Sequence, residues 1–120
     1  MTCIQRDEVT PFITADGSEI RELMAYRNSP VQRQSLAEAR LQPGQSTTRH
    51  YHPRTEEIYY LLEGTGTMEL EGATREVGRG DCIAIPPGAK HQLTNTGTGP
   101  LTLLCCCVPA YEHADTILCE

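Results

Sequence analysis

The chain has 120 residues with one phenylalanine, five tyrosines and no tryptophan, which suits one domain whose modest core rests on aliphatic side chains, cysteine and tyrosine. Its formal net charge is −6 and its ten basic residues form no run, which excludes a phosphate-backbone binder, since nucleic-acid binding needs a basic stripe. The longest apolar stretch, around Leu101 to Val108, is far too short to span a bilayer, and the N-terminus has no apolar signal core; a cytoplasmic protein with no nucleic-acid or membrane partner is expected.

Short apolar stretches between turn signals predict a sandwich or barrel. Residues 11–14 form a first strand, closed by Ala15, Asp16 and Gly17, and residues 20–26 a second, stopped by Asn28, Ser29 and Pro30. Residues 34–41 carry the propensity of a helix, since Leu, Ala, Glu and Arg favour one, yet their neighbours alternate and Pro43-Gly44 turns the chain. Strands follow at 47–52 and 57–62, with a turn at 64–66. Residues 67–70 and 73–77 pair across Glu71-Gly72 as a tight hairpin. After a turn at 78–81, a strand over 82–85 ends at Pro86, Pro87 and Gly88, and another covers 91–95. The last full strand, 101–108, stops at Pro109, and 111–120 is a tail or a short covering strand.

The chemistry concentrates between Gly44 and Asn95. Residues i and i+2 of a strand point to one face, so His50 and His52 aim two imidazoles at one point. Pro53 favours a break in the ladder, and the returning strand brings Glu57 back beside them. Two neutral imidazoles and a carboxylate suit a divalent metal, and His91, after the Pro86-Pro87-Gly88 turn, supplies a fourth ligand. The intervals through Gly44, His50, His52, Glu57 and Gly64, then Gly80, Pro86, Gly88, His91 and Asn95, match in full and in order the two sequence motifs of the cupin family, which the chain therefore resembles.

The resemblance implies an all-β double-stranded β-helix, or jelly-roll barrel, as a single domain over 1–120 with motifs at 44–64 and 80–95. It implies a strand at 34–41 against the local helical propensity, and a homodimer. It implies a metal site of His50, His52, Glu57 and His91. Imidazole-rich sites accept Fe, Mn, Ni, Zn and Cu, so the metal is a divalent transition ion of unspecified identity. One carboxylate leaves such a centre near +1, attractive to a small anionic or enolisable molecule. A metal-dependent enzyme of dioxygenase or sugar isomerase/epimerase type follows by analogy with the family; a non-catalytic metal- or ligand-sensing cupin is the alternative.

Strand parity places further residues. Thr48 shares the face of His50 and His52 and is expected to line the pocket. Tyr59 shares the face of Glu57 and is the candidate catalytic residue, as hydrogen-bond donor or acid; a core tyrosine with a satisfied hydroxyl is the other reading. Leu93 follows His91 inward, Asn95 fixes the turn after it, and Ile83 and Ile85 face in while Ile58, Tyr60 and Leu62 face out and need cover. Arg21, Tyr26 and Arg40 are candidates for gripping an anion, against a plain surface role. Tyr111 and His113 are candidates for closing the barrel mouth, with a stray surface histidine as the plainer reading. Cys105 and Cys107 share one face and Cys106 the other; they read as small buried hydrophobes or as a thiol lining the pocket. No Gly-x-Ser-x-Gly, phosphate loop or dinucleotide fingerprint is present.

Overall fold

The structure, a computed structural model, describes residues 1–119; Glu120, the end of the expected tail, lies outside the described residues. In chain order the strands are β1 (Phe12–Ile13), β2 (Glu19–Met24), β3 (Ser35–Leu41), β4 (His50–Tyr51), β5 (Glu56–Glu63), β6 (Thr65–Leu70), β7 (Ala73–Gly78), β8 (Cys82–Ile85), β9 (His91–Asn95), β10 (Leu101–Val108) and β11 (Ile117–Leu118). They form two sheets, ordered β1-β2-β3-β10-β5-β8 and β11-β4-β9-β6-β7, with antiparallel pairing between named strands. This is the expected all-β jelly roll.

β3 is a strand because partners on both sides override its propensity. It pairs with β2 and β10, and Ser35, Ala39 and Leu41 turn inward with the period of two that a strand requires. The sheets close on Leu41, Leu61, Ile85, Leu93, Leu101 and Leu103, all buried, each stabilising the fold by about 1.5–3 kcal/mol. Ile83 packs against this cluster beside Ile85, as strand parity expects.

Two motif residues set the frame. Gly64 has a φ of 91°, and a Cβ there would lie 2.5 Å from the Pro100 carbonyl oxygen, so any side chain would drive β5 and β10 apart. Asn95 is buried and donates to the carbonyls of Leu41 (3.0 Å) and Gly99 (2.9 Å) while accepting from the Gly97 N–H (2.9 Å). It fixes the following turn, as expected.

Several boundaries differ from the sequence reading; the turn expected at 64–66 is confined to Gly64, with β6 starting at Thr65. The strand expected at 20–26 ends at Met24, where the Asn28 side chain takes the Ala25 N–H (2.8 Å) and donates to the Glu22 carbonyl (3.2 Å). The strand expected at 47–52 survives only as His50–Tyr51, preceded by an isolated bridge at Ser46. Between them the chain leaves the ladder, and Thr48 donates its N–H to the Asp16 carbonyl (2.7 Å). Strand parity therefore fails there: Thr48 is exposed, and Thr47 lies inside, its hydroxyl accepting the Leu93 N–H at 3.0 Å.

On the outer surface of the larger sheet, Ile58, Tyr60 and Leu62 are exposed as expected, with Leu36 and Val108 nearby. Ile58 lies across from Cys106 and Tyr60 across from Leu104, so the apolar face is continuous over three strands.

Candidate metal centre

The smaller sheet brings the histidines together. His50 on β4 is the register partner of His91 on β9. His52 follows the end of β4, where its carbonyl accepts the Gly88 N–H at 2.8 Å, so the turn that precedes His91 also positions His52. One imidazole nitrogen from each of the three lies within 4.8 Å of the other two, and all three side chains are buried.

Each ring is aimed by its Nδ1. His50 Nδ1 meets the Thr48 carbonyl (2.7 Å), His91 Nδ1 the Ala89 carbonyl (2.9 Å) and His52 Nδ1 the Asp115 carbonyl (3.2 Å), with the Thr116 hydroxyl at 3.3 Å. A carbonyl only accepts, so the proton sits on Nδ1 and the neutral ring presents a lone pair at Nε2. Glu57 enters from the other sheet, on β5. Its Oε1 lies 3.5 Å from His52 Nε2 and 3.8 Å from His91 Nε2, while Oε2 accepts a hydrogen bond from the Cys107 thiol at 3.2 Å. Glu57 Oε1 and His91 Nε2 are buried without a hydrogen-bond partner. Acceptors converging without a donor are the arrangement a cation resolves, so these residues fit a divalent metal.

The protonation tendencies differ around the site. Burial, reinforced by the nearby His50, lowers the His91 pKa to about 4, leaving it neutral and ready to ligate. Burial also disfavours a charged His52, but the nearby Glu57 carboxylate outweighs it and the net shift is upward.

Around this cluster lies a cavity of about 50 Å³. Tyr59 is buried in its wall, its ring 5.9 Å from that of His91, and burial, then the Glu57 charge, push its hydroxyl well above the usual tyrosine range. Cys105 and Cys107 both line the cavity; burial, then Glu57, push both thiols up, so they stay protonated, and Cys106 points to the opposite face. Leu93 lines the wall as expected. Tyr111 also lines it, its ring 5.8 Å from His52 and its hydroxyl 2.7 Å from Thr14 Oγ1, while His113 stays exposed beside it.

The three anion-gripping candidates are not brought to the site. Arg21 pairs with Glu19 and Glu38, and Tyr26 bonds to Glu112 away from the cavity. Arg40 flanks the inward-facing Ala39 and Leu41 and so points outward. Among the described residues, neither arginine nor lysine lines the cavity.

Two acidic residues escaped the sequence reading. Asp16, in the β1–β2 turn, places Oδ2 3.7 Å from His50 Nε2; its Asp-Gly step signals a turn and nothing about the barrel interior. Asp115 caps the Arg54 and Thr55 N–H groups and supplies the carbonyl that orients His52, from a segment with no motif.

A family model, the cupin domain, matches residues 37–107, more than half of the chain. The chain is a cupin. This cupin is 47% identical over 114 residues to an uncharacterised protein of Methanocaldococcus jannaschii, covering 95% of this chain and 91% of the relative. Among solved structures it resembles the polyketide cyclase RemF from Streptomyces resistomycificus, with 26% identity and a TM-score of 0.84 over 100% of this chain and 86% of that one. It also resembles a predicted oxalate decarboxylase from Thermotoga maritima, with 26% identity and a TM-score of 0.80 over 90% and 99%.

Proposed function

We propose that this cupin is a metal-dependent enzyme in which His50, His52, Glu57 and His91 hold one divalent transition ion, and that it acts on a small, weakly charged molecule chelating through oxygen. The observation that carries this reading is the convergence of buried acceptors, Glu57 Oε1 and His91 Nε2 among them, with no donor to satisfy them. A bound ion would supply Lewis-acid polarisation of a chelated carbonyl or phenolic oxygen.

The chain's own residues narrow the substrate. With no arginine or lysine in the wall, a phosphate group has nothing to grip. Leu93, Leu103 and Ala39 give an apolar surface, and the protonated hydroxyl of Tyr59 is a donor for a substrate oxygen. An enolisable carbonyl compound or a phenol fits this wall better than a sugar phosphate, and the reaction class is proton transfer at the carbon beside the carbonyl. The names of the two solved relatives, a polyketide cyclase and a predicted oxalate decarboxylase, also point to carbonyl or carboxyl substrates.

The test is metal analysis of the purified protein, followed by NMR of solvent-deuterium exchange into a panel of β-diketones and phenols. Exchange that needs metal and disappears in His91→Ala supports the reading. Metal-free protein after purification without chelator, or equal exchange by His91→Ala, overturns it; oxygen consumption by the Fe(II) form in place of exchange overturns the reaction class and favours a dioxygenase.

We also propose a homodimer through the outer face of Leu36, Ile58, Tyr60, Leu62 and Val108. That face is continuous across paired strands, and a second copy presents the same self-complementary patch.

A further inference from the structure

Asp16 belongs to neither sequence motif, yet its carboxylate stands as close to a site histidine as that of Glu57 does. Oδ2 lies 3.7 Å from His50 Nε2, against 3.5 and 3.8 Å from Glu57 Oε1 to His52 and His91. The side chain is held for that approach. Oδ1 accepts both the Ser18 N–H (2.9 Å) and the Ser18 hydroxyl (2.6 Å), which fixes the carboxylate and leaves Oδ2 toward the cavity. The Asp16 carbonyl takes the Thr48 N–H at 2.7 Å, and the Thr48 carbonyl orients the His50 ring at 2.7 Å. Turn and histidine are therefore tied through one residue. With His50 Nδ1 directed at a carbonyl, its Nε2 offers a lone pair toward Oδ2, and two acceptors face each other as they do at Glu57.

We propose that Asp16 is a second carboxylate of the metal site, reaching the ion from the side of His50 while Glu57 reaches it from the side of His52 and His91. This rests on the metal reading above. Three neutral imidazoles and two carboxylates make a divalent centre formally neutral. Such a centre prefers hard ions such as Mn²⁺ and Fe²⁺ more than a single-carboxylate site does. It also holds a neutral or singly charged chelator more readily than a dianion, in keeping with a wall that carries no arginine or lysine.

The experiment measures metal affinity by chelator competition for Mn²⁺ and Zn²⁺, and coordination by the visible absorption of the Co²⁺ form. Asp16→Asn keeps an oxygen for the Ser18 contacts and removes the charge. The expected result is a folded variant with Mn²⁺ affinity down at least tenfold, a smaller loss for Zn²⁺, and a changed Co²⁺ spectrum. Glu22→Gln is the control. Glu22 also lines the cavity but pairs with Arg27 at 2.7 Å, so its loss is expected to leave affinity within threefold. Unchanged affinity and spectrum in Asp16→Asn overturn the proposal, as does an equal loss in Glu22→Gln, which would reduce the effect to general electrostatics. Should Asn disturb the turn, Asp16→Ser keeps an acceptor for the Ser18 N–H and is read by the same criteria. Absence of metal binding by the wild-type protein refutes the underlying metal site instead.

Discussion

Glu57→Gln separates the metal reading from a purely structural role, because the two predict opposite signs. The carboxylate is buried with Oε1 unpaired and Oε2 taking only the Cys107 thiol. Glutamine has the same shape, keeps an acceptor for that thiol, and puts an NH₂ beside the lone pairs of His52 and His91, where Oε1 now stands at 3.5 and 3.8 Å. Removing a buried unpaired acceptor stabilises the metal-free protein by about 1–3 kcal/mol. Unfolding entropy of about 2.1 cal/mol/K per residue over 120 residues gives roughly 0.25 kcal/mol/K, so Tm in chelator at pH 8.5 is expected to rise by about 4–12 °C. With metal that advantage shrinks or reverses. Loss of the anionic ligand is expected to weaken binding at least 100-fold, about 2.7 kcal/mol. At a metal concentration 100 times the wild-type Kd, the wild type gains about 2.7 kcal/mol, roughly 11 °C, and the variant about 0.4 kcal/mol, under about 2 °C. Differential scanning calorimetry with and without metal reads both effects. A variant that is less stable in chelator yet gains the full metal shift refutes the reasoning.

The metal-free protein is expected to lose stability as pH falls from about 6.5 to about 4. His91 is held neutral in the fold down to about 4 while the unfolded histidine protonates near 6.5, so protons favour the unfolded chain across that window by about 3 kcal/mol. His52, raised in the fold, works the other way: its contribution is present at low pH and fades as pH rises through its folded value, a partial offset. Urea titrations from pH 8 to pH 4 check this, and His91→Gln should flatten the decline; an unaltered slope counts against it. Asp115→Ala removes the caps on Arg54 and Thr55 and frees the segment whose carbonyl orients His52, so metal affinity should fall about 10–100-fold with the fold retained by circular dichroism. Ile58→Glu places a charge in the middle of the exposed apolar face and should give a monomer in sedimentation analysis; a wild type already monomeric at high concentration would sink the dimer.

How much was legible from residues alone depended on how far each signal had to travel. The four candidate ligands were readable because fixed spacings encode two turns and three strand faces. His50 and His52 needed only local parity, and Glu57 a short return. Parity failed two residues before His50, where a contact with the Asp16 carbonyl lifts Thr48 out of the ladder and no local signal announces it. Arg21 and Arg40 were good anion ligands by chemistry, but their neighbours on β2 and β3 turned inward and carried them out. Asp16 and Asp115 were invisible for a plainer reason: one reaches His50 from 34 positions upstream and the other meets His52 at a separation of 63, and no periodic pattern spans such distances. The helical propensity of Ser35–Leu41 misled because two flanking strands decide that segment.

The chain carries six cysteines, all free, so no covalent bridge ties one layer of the barrel to the other. The histidines of the centre stand on or beside the smaller sheet and Glu57 on the larger. A shared ion would therefore act as the clasp between the halves. Its removal should loosen the seam between β4 and β5 before it disturbs either sheet, and hydrogen exchange along that seam would report occupancy without any knowledge of the substrate.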